Sequence, residues 1–173
     1  MSFQSAPVRF DQGYGVPGEF VFDGPRRAEP GILRTVAPAN NIFGRAMTLN
    51  SAVPGVWRAG DAASDGERIG ILTGPKQHAS YGTAAGGPLA PTLAIANEIN
   101  VQIATMGQIL VVCRDAANLV GNIVRFVLAT GEIVTVPPGT AADPLMKDIP
   151  DAVVVRVPQP SALGLAVIQL TTQ

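Results

Sequence analysis

The chain has 173 residues, 47% of them hydrophobic but only 14% charged, and 12 basic against 13 acidic side chains leave a net charge of −1. That length suits one domain with a substantial core, while the charge content falls well short of the roughly 25% of ordinary soluble domains. The absence of a Lys/Arg block argues against nucleic acid, the absence of a long apolar run argues against a membrane span or a secretion signal, and a lone Cys113 rules out an internal disulfide framework.

Residues 1–55 read as an extended N-terminal arm and residues 56–173 as a β-rich domain. The arm is an apolar ribbon punctuated by glycine and proline, with Phe20, Val21, Phe22, Ile32, Leu33, Val36, Ile42, Phe43, Met47 and Leu49 spaced along it and no helical period. A disordered tail would be charged and poor in such residues. This ribbon needs a surface to bury it, either the rest of the chain or a neighbouring subunit. Within 1–60, six arginines face four acids, and arginine is the residue suited to forked contacts with carboxylates.

Further along, Val56–Gly60 and Ile69–Leu72 read as short strands around a polar turn at 61–67. A loop rich in Gly, Ala and Pro follows over 74–92. The run 101–113 is rich in β-branched residues, with Gly107 expected as a bulge or bend. Residues 121–136 read as a hairpin, Ile123–Leu128 and Glu132–Val136 about an Ala129–Thr130–Gly131 turn. A Pro-rich loop is expected over 137–151, then closing strands at 152–158 and 163–171. Segments 91–99 and 115–122 are the only places for a turn or two of helix. Roughly seven to ten short strands predict an all-β fold, a β-sandwich or small β-barrel of jelly-roll type.

The chemistry is thin. Gly13, Gly15 and Gly18 match a dinucleotide fingerprint, but no strand precedes them and Pro17 and a β-like run replace the helix that would hold a pyrophosphate. His78, the single histidine, has no nucleophile elbow to serve. One histidine and one cysteine cannot make an ordinary zinc site. Cys113 closes an apolar run and reads as an inert core thiol. Asp61, Asp65 and Glu67 fail the calcium-loop register, because the twelfth position is Leu72. Neither an enzyme nor a cofactor is expected.

Six blocks, GVPGEFVFDGPRRAEPGIL (15–33), NNIFGRAMTLN (40–50), GILTGPKQHASYG (70–82), IATMGQILV (103–111), VGNIVRFVLATGEIVTV (120–136) and VVVRVPQPSALGLAVIQLT (153–171), are similar, in that order, to the structural cement proteins of tailed double-stranded-DNA bacteriophages. The resemblance implies a capsid decoration protein made in the host cytoplasm and placed on the exterior of the virion. Its partners would be the major capsid protein and itself, as a homo-oligomeric dimer or trimer, with no nucleic acid and no membrane. It would bridge neighbouring capsomers and stabilise the shell. Phe20, Phe22, Arg26, Arg27, Ile32, Leu33 and Arg34 are then the candidate capsid-binding residues. A β-sandwich carbohydrate- or ligand-binding module is the alternative, although aromatics are only 5% of the chain and such modules use aromatic platforms.

Overall fold

Glycines and prolines punctuate this chain and most of its strands are short, but one run rich in β-branched residues is long. In the computed structural model, which describes residues 15–21, 24–60, 68–75, 94–115, 118–158 and 164–171, that run is a strand of thirteen residues, Asn100–Val112. In chain order the strands are β1 (Arg27–Leu33), β2 (Ala46–Leu49), β3 (Val56–Ala59), β4 (Ile69–Thr73), β5 (Asn100–Val112), β6 (Ile123–Val127), β7 (Ile133–Val136), β8 (Met146–Arg156) and β9 (Leu165–Leu170). A single 3-10 turn, Pro38–Asn40, separates β1 from β2. The fold is all-β, as the spacing of turn residues predicts.

β5 belongs to two closed rings. Its first half pairs with β4 (Ile71 with Ala104) and with β1 (Glu29 with Ile103, Gly31 with Val101). β1 joins β3 in parallel, β3 joins β2 and β2 joins β4, which closes a five-stranded ring. The second half of β5 pairs with β9, followed by β8, β6 and β7. A bridge between Cys113 and Ile133 brings β7 back to the end of β5 and closes the second ring. Ring closure removes most open edges, the usual hazard of β structure.

Each ring has its own filling. Leu33, Met47, Trp57, Leu72, Val101 and Ile103 fill the first, with Phe43 and Ile95 at its margin. Trp57 is the largest of these, and it fits because Gly31 lies beneath it; a Cβ at 31 would stand 2.2 Å from the indole Cδ1. Ile109, Val111, Val124, Phe126, Ile133, Val154 and Ile168 fill the second ring, whose core runs on to Ala46, Ile69, Ile71 and Ala104 on the outside of the first. β4 is therefore covered on both faces and buried along its whole length, which explains why its sequence, IGILT, shows no polar alternation.

Two expectations change. The loop expected over 137–151 ends at Leu145, because β8 begins at Met146 and pairs with the second half of β6. Its proline is accommodated in an irregularity of the ladder: Arg125 opposes Asp148 while Ile123 opposes Val153, so Pro150 and Asp151 bulge out between them, Asp151 at φ 51°. Segments 91–99 and 115–122 form no helix among their described residues. The hairpin, the short strands around 56–60 and 69–72, and the two closing strands form as expected.

Trp57→Ala should lower the unfolding free energy by about 3–5 kcal/mol, the usual cost of emptying an aromatic site in a core. Gly31→Ala should also destabilise, by collision with the indole. Denaturant unfolding followed by circular dichroism measures both.

Candidate functional site

The candidate residues gather where the chain first meets β5. Residues 18–21 lie as a short antiparallel strand along the second half of β5: Gly18 N–H donates to Leu110 O (2.7 Å), Leu110 N–H to Glu19 O (3.0 Å) and Val21 N–H to Gln108 O (3.0 Å). The chain then turns over Gly107 and pairs with the first half of β5 as β1. Gly107, at φ 124°, makes that turn possible. A Cβ there would press on the Phe20 ring at 3.0 Å and on the Arg26 Cβ at 3.2 Å. The sequence predicts a bulge or bend at Gly107; the irregularity of the β1–β5 ladder instead skips Thr105, where Arg27 opposes Met106 and Ala28 opposes Ala104.

Phe20 and Arg26 thus meet although six positions apart. The Arg26 guanidinium lies 5.6 Å from the Phe20 ring centroid, within range of a cation–π contact. Phe20 is half-buried against the second core, while Arg26 and Arg27 are exposed. Further along, alternation turns Ala28, Pro30 and Ile32 outward and Gly31 and Leu33 inward. Ile32 is exposed; Leu33 is sealed inside the first ring. Arg34 is exposed and forks onto Glu98, Nε to Oε1 at 2.8 Å and Nη2 to Oε2 at 3.1 Å. That hydrogen bond holds the Glu98 carboxyl below its ordinary range and raises Arg34.

The structure therefore brings Phe20 and Arg26 together, sets Arg27 beside them, aligns Ile32 and Arg34 along the outer side of the first ring, and separates Leu33 from the rest. Phe22 lies outside the described residues, as do His78, Asp61, Asp65 and Glu67. A shallow open cleft of about 510 Å³ adjoins Phe20 and Arg26, lined also by Glu19, Thr73 and Gln102. Among its described lining residues Phe20 is the one aromatic. Among the described residues, no group of three or more His, Cys, Asp or Glu side chains could hold a metal ion. No helix among them is long and apolar enough to cross a membrane.

Two arginines hold loops to the rings: Arg125, which is buried, and Arg45, which is half-buried and one of the six arginines of the 1–60 segment. Arg125, on β6, donates to Ala141 O (2.8 Å), Thr140 O (2.9 Å) and Asp148, fastening the loop before β8 to the second ring. Arg45 reaches Asn40 Oδ1, Thr130 O and Glu132 and ties the two rings together. Each position looks like surface charge in the sequence. The one available signal is that Arg125 stands between Val124 and Phe126, both core residues.

Cys113 is buried, and desolvation, followed by the charge of Asp115, pushes its thiol from 9.0 up to about 12. The thiol stays protonated at neutral pH, so this is no nucleophile. The unfolded chain ionises Cys113 at lower pH than the folded one, so its contribution is complete below pH 9.0 and is lost as pH rises towards 12. Native protein at pH 8 should resist a disulfide reagent for as long as it stays folded and react with one equivalent in denaturant, measured by absorbance.

No curated protein matches the chain. Among solved structures, a chain from the capsid of Myoviridae phage XM1 has a similar fold, at a TM-score of 0.59 and 16% identity, with 99% of this chain and 98% of that one covered. The family model described as structural cement protein (E217 gp24/Pam3 gp6) matches residues 3–171. Nearly the whole chain carries that match. The chain belongs to the structural cement protein family of phages, a family of virion capsid components and not of enzymes.

Proposed function

We propose that this cement protein binds the outside of the expanded major-capsid lattice, bridges neighbouring capsomers and stiffens the shell against its contents. Its grip includes Phe20, Arg26, Arg27, Ile32 and Arg34, with Phe22 next to them in sequence and Leu33 as the buried anchor under Ile32 and Arg34. The observation that carries this reading is the strip itself. It joins a cation–π pair, an exposed Ile32 and an exposed arginine fork on a backbone fixed to β5. Arginine and aromatic side chains on a rigid frame are what protein interfaces favour. Pro30 supports the same reading, since a proline in a strand leaves no N–H for a ladder bond and discourages indiscriminate edge pairing.

Association of the chain with itself as a dimer or trimer belongs to the same proposal. Several modest grips on one lattice reinforce each other through effective concentration. Purified protein mixed with expanded shells lacking decoration should co-sediment saturably at micromolar concentration. The double variant Arg26→Glu with Ile32→Asp should weaken that binding by about tenfold or more, as expected for interface residues worth over ~1 kcal/mol, while keeping a near-native melting temperature. No pelleting of the native protein at micromolar concentration would overturn the proposal.

A further inference from the structure

Three turns among the described residues hold strongly exposed aliphatic side chains, at Val36, at Leu119–Val120 and at Leu145, and buried asparagines brace the first two, one on each ring. On the first ring Val36 is 95% exposed, in the uncharged stretch Thr35 to Asn40. Beneath it Thr35 N–H donates to Asn97 Oδ1 (3.0 Å), Asn97 Nδ2 to Thr35 O (2.8 Å) and Asn41 Nδ2 to Ile95 O (2.9 Å). The Thr35 hydroxyl bonds Asn41 Oδ1 and accepts Ala59 N–H. Asn41 is 0% exposed. On the second ring Leu119 and Val120 are 64% and 67% exposed, in the uncharged stretch Asn118 to Asn122. There Asn118 donates to Gly164 O (3.1 Å) and accepts the Thr135 hydroxyl (2.6 Å). Gly121 N–H bonds Val154 O and Val154 N–H bonds Asn122 O.

A monomeric surface normally scatters such residues without bracing them. Here each tip is rigid before any partner arrives, which removes the ordering cost of binding. The two tips stand beyond different ends of β5, since Ile99 O accepts Leu33 N–H before its start and Gly164 O accepts Cys113 N–H after its end. We propose that Val36 and the Leu119–Val120 pair are two separate docking points that enter apolar, uncharged pockets on two neighbouring subunits of the phage shell, so that one molecule is a two-ended strut. This rests on the shell-binding reading above and adds the points of contact. Charge supports such an occupant: neither Thr35 to Asn40 nor Asn118 to Asn122 carries a charged side chain, which leaves an apolar contact as the one each tip offers. A symmetric self-contact would reuse one patch on both copies, whereas these tips differ in sequence and bracing.

The test is co-sedimentation with undecorated expanded shells of the native protein, Val36→Asp, Leu119→Asp with Val120→Asp, and all three together. Light scattering and melting temperature are followed for each variant. Each one-tip variant should weaken apparent binding by about 10² or more, the loss expected when a linked second grip is removed, and the triple variant should bind more weakly than either, down to what the Phe20–Arg34 strip holds by itself. Val36→Leu should bind like the native protein, which separates loss of the apolar tip from loss of fold. If native protein pellets and the triple variant pellets equally well, the tips are not docking points although shell binding stands. If only one tip matters, the two-ended strut is wrong. If the variants change the protein's mass in solution and leave shell binding alone, the tips meet other copies of this chain and the proposal fails. Native protein that does not pellet removes the reading beneath it as well.

Discussion

β5 must serve two rings, and that constraint organises the rest. Its two halves have different neighbours, and Gly107, at φ 124°, stands between them. The leader uses the same point: it lies along the second half of β5, turns over Gly107 with Phe20 and Arg26 against it, and re-enters the sheet as β1. First-ring closure therefore depends on a glycine outside that ring's core. Two ladders join distant parts of the chain, β1 with β5 and β5 with β9, and long-range pairing of that kind slows folding.

With charged residues at 14%, where the charges sit matters more than their number. Arg125 gives its guanidinium to two carbonyls and a carboxylate, and Arg45 gives its own to an amide, a carbonyl and a carboxylate. A forked cation can hold several oxygens in fixed directions where a lysine could not. Desolvation lowers Arg45 from its ordinary value, yet a guanidinium keeps its proton under such conditions. These two arginines fasten loops to rings.

Local pattern revealed the pieces whose partners lie near in sequence. The β6–β7 hairpin was legible because its turn and both strands fall within fifteen or so residues, and β5 because β-branched residues crowd it. The first half of β8 was hidden by Pro150, since a proline in a bulge and a proline in a loop look alike until the register of β6 is known. Ring closure through the parallel β1–β3 contact, only Ile32 with Val56 and Leu33 with Trp57, leaves no trace in either segment. For the same reason the apolar ribbon did not reveal which of Ile32 and Leu33 faces out. The alternation of β1 settles that once its partner is known. The asparagines under the tips give no signal in the sequence, because burial of an amide cannot be seen along it.

Those asparagines bear on how a small β protein comes to act as a fastener. Buried polar networks contribute little net stability even when every bond is made, and an apolar filling of the same volume would serve a core as well. What the Thr35–Asn41–Asn97 set does supply is direction: it fixes the backbone on both sides of Val36 and of the 3-10 turn that follows. Asn118 does the same for the turn at Leu119. A single aliphatic side chain buries too little area for a strong grip by itself. It becomes useful when its position is fixed in advance and its contact is repeated on a lattice, because then neither ordering nor encounter has to be met anew at each point. Rigid turns on closed rings satisfy the first condition, and the repeating subunits of a capsid satisfy the second.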